Sequence, residues 1–125
     1  MDKKKLDRLY DKYRMNDNLI IARTARTTIR YIEKTTINFP NKYSVLKNNI
    51  ISSCYSILKN IYRANIWQEL NVKKEIIVDI RMLNFYLEEA YKKELINDKK
   101  LTSFINYLIE IDKMVRGWFK YEEVK

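Results

Sequence analysis

The chain has 125 residues, a formal net charge of +9 and 46% apolar residues, with one Cys and no His. The length suits one domain, and the apolar fraction supplies a core that a disordered basic tail would lack. The absence of His excludes Ser-His-Asp and Cys-His catalysis, and one Cys without His assembles neither a zinc site nor an internal disulfide.

Only one Gly and one Pro are available for turns, so long helices with few connections are expected. Residues 1–17 read as a basic N-terminal arm or a short amphipathic helix, with Leu6, Leu9, Tyr10 and Tyr13 set among Lys and Arg. No apolar h-region follows this basic start, and no run of 18 apolar residues occurs, so neither a secretory signal nor a membrane span is expected. A cytoplasmic location follows as the expectation.

Residues 18–125 read as four helices. The first spans about 18–37: Ile21, Ala25, Thr28 and Ile32 share one face, Ala22 and Ile29 widen it, and Arg23, Arg26, Arg30 and Lys34 lie roughly opposite. Phe39-Pro40 ends it, because Pro restricts the residue before it and cannot continue a helix. The second spans about 44–65, with Leu46, Ile50, Cys54, Ile57, Ile61 and Ala64 in one stripe and Ile51, Tyr55, Leu58 and Tyr62 in another. Such a wide apolar sector suits a helix with two neighbours, and Cys54 reads as a small buried hydrophobe.

The third spans about 72–95. Ile76, Ile80, Leu83, Leu87 and Ala90 form its core stripe, while Val78, Met82 and Phe85 lie nearly opposite. Four helices of similar length leave no central position, so Val78, Met82 and Phe85 are expected at an oligomer interface. Cover by the N-terminal arm is the alternative. The fourth spans about 98–120, capped by Asn97 or Asp98, with Leu101, Phe104, Leu108, Ile111, Val115 and Trp118 inward. Gly117 reads as a kink or a close helix approach. The fold expected is all-α: an up-down-up-down antiparallel four-helix bundle preceded by the basic arm.

Charge divides sharply along the chain. Residues 1–65 carry 14 Lys/Arg and 5 Asp/Glu, whereas residues 66–125 carry 11 of each. Segment 41–65 contains no acid. A concentrated positive surface attracts polyanions and releases counterions from phosphates, which points to RNA or DNA. Arg23, Arg26, Arg30, Lys34, Lys59 and Arg63 are the candidate phosphate contacts. Tyr10, Tyr13, Tyr31 and Tyr43 are candidate platforms for unpaired bases. A solvated basic face that maintains solubility is the plain alternative. The acid clusters Glu75/Asp79, Glu88-Glu89 and Glu122-Glu123 have lysines nearby, so helix-surface ion pairs account for them and no catalytic residue, metal site or cofactor is expected.

The order Phe39-Pro40, the helix ending Tyr62-Arg63-Ala64-Asn65, then Ile80-Arg81-Met82-Leu83, and last Met114-Val115-Arg116-Gly117-Trp118-Phe119-Lys120 resembles the Avd proteins. These are accessory proteins of diversity-generating retroelements, related to four-helix-bundle proteins encoded in rRNA intervening sequences. The similarity covers about residues 18–120. It implies a barrel-like homopentamer whose positive surface binds a reverse transcriptase and its RNA, supporting cDNA synthesis without chemistry of its own. Arg81 enters the candidate set here. Arg116 stands where the family often has a first Gly, and Phe85 where it often has a second Arg. The function expected is thus a non-enzymatic, oligomeric, nucleic-acid-binding partner of a reverse transcriptase. The alternatives are a protein–protein adaptor, a stand-alone protein of the intervening-sequence type, and a small enzyme built on a carboxylate pair.

Overall fold

A computed structural model describes residues 1–13 and 19–124, with side chains described for 1–12 and 19–119. The described residues form five α-helices and no strand: α1 (Lys3–Tyr13), α2 (Ile20–Thr36), α3 (Ser44–Trp67), α4 (Leu70–Lys92) and α5 (Asp98–Val124). The expected helix start at Asn18 and the side chains of Tyr13, Lys120, Glu122 and Glu123 lie outside the described residues.

Local chemistry sets the helix ends. The Lys5 N–H donates to Asp2 Oδ1 at 2.8 Å, which caps α1. After α2, Phe39 turns inward and is buried, and a 3-10 turn at Asn41–Tyr43 carries the chain past Pro40 into α3. Gln68 ends α3 in the left-handed region, with φ 56°. Glu94 does the same after α4, with φ 60°. There the Leu95 N–H donates to the Ala90 carbonyl and the Glu94 N–H to Tyr91, so the last carbonyls of α4 are satisfied. Helix α4 therefore stops at Lys92, before the expected 95. The Lys100 N–H donates to Asn97 Oδ1 at 2.8 Å, which makes Asn97 the cap of α5.

Helix α2 packs on α3 and α5, and α4 packs on the same two. Among the described residues the backbones of α2 and α4 do not approach closely, nor do those of α3 and α5, and the α1 backbone lies close to none of the four. The core lies between α2, α3, α4 and α5. Ile32, Ile50, Ile61, Ile76, Leu83, Leu87, Phe104, Leu108, Ile111 and Val115 are fully buried in it. Each such side chain contributes about 1.5–3 kcal/mol by leaving water. Buried Thr28 and Thr36 stay satisfied because their hydroxyls donate to the Thr24 and Glu33 carbonyls. Leu46, Leu101 and Trp118 sit at the rim, half-buried. Gly117 marks no close helix approach, because a Cβ placed there would meet nothing within 4 Å.

Cys54 is buried in α3, and burial pushes its thiol up to about 12, with the nearby Glu33 carboxylate adding to the shift. The unfolded chain releases this proton near the ordinary value of 9.0. The thiol's contribution to stability is therefore complete below pH 9.0 and lost as pH rises towards 12. Denaturant midpoints measured across that window should fall more steeply for the natural chain than for Cys54→Ala. Equal slopes would show that the fold accommodates a thiolate.

Candidate nucleic-acid interface

Burial of Ile21, Ala25, Thr28 and Ile32 fixes the rotation of α2, and its cations follow. Arg23, Arg30 and Lys34 are exposed and fall within about 40° of one another around the helix, at 100° per residue. They form a ridge about 16 Å long at 1.5 Å per residue. Among the described residues none of the three is held in an ion pair. Arg26 is half-buried and sits about 60° round from this ridge, on the side facing α3. At its start the ridge borders a shallow groove of about 370 Å³ between α2 and α5, lined by Arg23, Thr24, Tyr107 and Glu110.

Between residues 19 and 65 the only carboxylate is Glu33. Its side chain accepts a hydrogen bond from the Tyr55 hydroxyl of α3. That bond, with the neighbouring negative charge, holds the Tyr55 phenol above its ordinary pKa. The outward surface of α2 and α3 is thus left with Arg23, Arg30, Lys34, Lys47 and Lys59 against a single engaged acid.

Lys59 and Arg63 belong to a different neighbourhood from the α2 ridge. They line a groove between α3 and α4, about 370 Å³, with Ser56, Asn60, Glu75, Val78 and Asp79. The Asp79 carboxylate accepts from Ser56 Oγ at 2.9 Å and from Asn60 Nδ2 at 2.8 Å. Arg63 donates to Asn60 Oδ1 at 3.0 Å, lies 3.7 Å from Glu75 and stacks over the Trp67 ring at 4.9 Å. Glu75 and Asp79 therefore both engage α3 across the interface. Lys73 is buried with its ammonium over Trp118 at 5.4 Å. By contrast, Glu89 pairs with Lys92 and Lys93 along its own helix, as the spacing suggests.

The remaining candidates separate further. Arg81 is exposed on α4, beside the apolar stripe and away from α2. Val78, Met82 and Phe85 are 60%, 42% and 51% exposed, and nothing from α1 covers them. Tyr31 is not a free platform: its ring packs edge-on against Phe104 and Tyr107, and Lys100 donates to its hydroxyl at 3.1 Å. That donor lowers its pKa. Tyr43 is half-buried with Lys42 over its ring, and Tyr10 lies on α1. The exposed rings on the basic side are instead Tyr55 and Trp67. Sequence spacing could have found them, since both stand four residues from a candidate cation. The apolar pattern of α3 masks Tyr55, and Trp67 lies beyond the helix end expected at 65.

No group of three or more potential metal-ligating side chains occurs among the described residues, and none of their helices is long and apolar enough to cross a membrane. Comparison with protein-family models and with curated proteins gave no match for this chain.

The polar network makes a stability prediction. Asp79→Ala leaves the buried Asn60 amide without its acceptor, so unfolding free energy should drop by about 1–3 kcal/mol in urea melts. Glu75→Ala removes only a half-exposed pair and should cost about 0.5 kcal/mol or less. The reverse order would mean that the exposed ion pair, and not Asp79, ties α3 to α4.

Proposed function

We propose that this chain is an antiparallel up-down-up-down four-helix bundle that binds nucleic acid and performs no chemistry. In this reading it is a cytoplasmic accessory protein of a retroelement, holding RNA or its cDNA beside a reverse transcriptase. The packing supports the topology. Ser56 and Arg63 of α3 meet Asp79 and Glu75 of α4 in reverse order, and Lys73 near the start of α4 meets Trp118 late in α5. On α2 and α5, Arg23 shares a groove with Glu110 while Tyr31 meets Lys100.

One observation carries the nucleic-acid reading: residues 19–65 bear eight cations and one carboxylate, and that carboxylate is engaged by Tyr55. Predominantly positive charge along α2 and α3 fits a polyphosphate better than a protein partner of evenly mixed charge. The retroelement and the reverse transcriptase rest on the resemblance of Phe39-Pro40, Arg81 and Met114–Lys120 to the Avd proteins. Homo-oligomerisation rests on the exposed Val78, Met82 and Phe85; the pentamer is what the resemblance implies. An apolar stripe of this kind on a helix that already buries its opposite face suits a subunit contact.

Replacing Arg23, Arg30 and Lys34 with Gln should weaken RNA binding and lower the slope of log affinity against log salt by about 2, at roughly 0.7 per phosphate lost. An unchanged slope would remove the α2 ridge from the interface. For assembly, Met82→Glu with Phe85→Glu should reduce the mass measured by light scattering to that of one chain. If the natural chain is itself a monomer at micromolar concentration, the subunit contact is wrong.

A further inference from the structure

Four side chains of α3 stand on one ridge at successive i, i+4 positions: Tyr55, Lys59, Arg63 and Trp67. Residues four apart are surface neighbours on a helix, and such rows form its natural ridges. The row rises about 18 Å along the helix at 1.5 Å per residue and winds about 120° round it, from the α2 side at Tyr55 to the α4 side at Arg63. Its two ends are aromatic and open to solvent, Tyr55 at 48% and Trp67 at 55% exposure. Its two middle members are cations.

Both rings are held in place. The Tyr55 hydroxyl is tied to the Glu33 carboxylate of α2. The Trp67 indole has the Arg63 guanidinium on it at 4.9 Å, and that guanidinium is itself anchored to Asn60 Oδ1 at 3.0 Å. A ring already immobilised loses little rotamer freedom when something stacks on it. Glu75 is the nearest opposing charge, 3.7 Å from Arg63 in a pair open to water. Such pairs are weak and exchange readily for a phosphate. Asp79 is occupied by Ser56 and Asn60.

We infer that the α3 ridge Tyr55–Lys59–Arg63–Trp67 is a track for single-stranded nucleic acid, with unpaired bases stacked on Trp67 and Tyr55 and the intervening phosphates held by Lys59 and Arg63. The inference rests on the nucleic-acid reading above and adds to it the strandedness of the ligand. Alternation of π-faces with cations suits an unpaired strand, because every base offers a face to stack. A duplex hides those faces and meets the protein through its phosphates alone, which the α2 ridge can serve equally well. The track accommodates on the order of four nucleotides, the short end of single-strand site sizes.

The test uses the full chain carrying Trp118→Phe, so that Trp67 is the only indole. It is titrated with a labelled oligouridylate and with an RNA duplex of equal phosphate number, at matched salt. The oligouridylate should quench Trp67 fluorescence, and the duplex should bind without quenching it. In the natural background, Trp67→Leu should weaken oligouridylate binding by about 5- to 100-fold, the loss of one stacked base, and leave duplex binding unchanged. Trp67→Phe should recover part of the loss, since a ring returns. Tyr55→Phe keeps the ring but gives up its hold on Glu33, so it should retain more single-strand affinity than Tyr55→Leu. Oligouridylate binding that neither quenches Trp67 nor responds to Trp67→Leu overturns the track and leaves the nucleic-acid reading standing. Failure of both RNAs to bind at low salt overturns that reading and the track together. Trp67 is half exposed, so thermal melts of its variants should match the natural chain and exclude misfolding as the cause.

Discussion

Mutual burial of the Ile- and Leu-rich stripes of α2, α3, α4 and α5 fixes the rotation of each helix about its own axis, and the surface follows from that phase. Once Ile21, Ala25, Thr28 and Ile32 face the core, Arg23, Arg30 and Lys34 have no position other than the outside of α2. Burying Ile50, Cys54, Ile57 and Ile61 likewise turns Lys59 outward on α3. A register change of one residue rotates a helix by about 100° and would bury cations without partners, at a cost of several kcal/mol each. The core thereby specifies the basic face as firmly as it specifies itself.

A surface this positive works against its own fold, since like charges repel across the compact state. The structure offsets part of that repulsion asymmetrically. Glu89, Asp112 and Glu75 pair with Lys92 and Lys93, with Arg116 and with Arg63, all contacts within or against α4 and α5. On α2 itself the single acid, Glu33, accepts from a phenol, and among the described residues Arg23, Arg30 and Lys34 are held in no ion pair. Compensation has been withheld where a polyanion would sit, which is the physical content of the proposed interface.

The α3–α4 contact serves two ends at once. Asp79, Ser56 and Asn60 form a satisfied polar network beside a core of Ile and Leu. The same Asn60 positions Arg63, which in turn steadies Trp67. A structural hydrogen bond is therefore one step from a side chain on the proposed binding surface. The apolar stripe Val78–Met82–Phe85 begins at the rim of this groove, so subunit contact and nucleic-acid contact would share a border along α4.

Much of the architecture was legible in the residues themselves. The 3.6-residue spacing of apolar positions, with Pro40 and Asn97 as punctuation, placed α2, α3, α4 and α5 to within a few residues, because helical periodicity and capping are local properties. The two left-handed reversals at Gln68 and Glu94 were not legible, since neither position carries the Gly that usually announces them. Local pattern also gave Arg23, Arg30 and Lys34 their outward direction and Val78, Met82 and Phe85 their exposure, but not the half-buried place of Arg26. What required tertiary structure was neighbourhood. Sequence grouped Lys59 and Arg63 with the α2 ridge and offered Tyr31 as a base platform. Packing placed the first two in a groove with Glu75 and Asp79 and closed Tyr31 against Phe104. It left Tyr55 and Trp67 as the rings in the open. Periodicity determines which way a side chain points from its own helix, but only the packing of one helix on another decides what it meets.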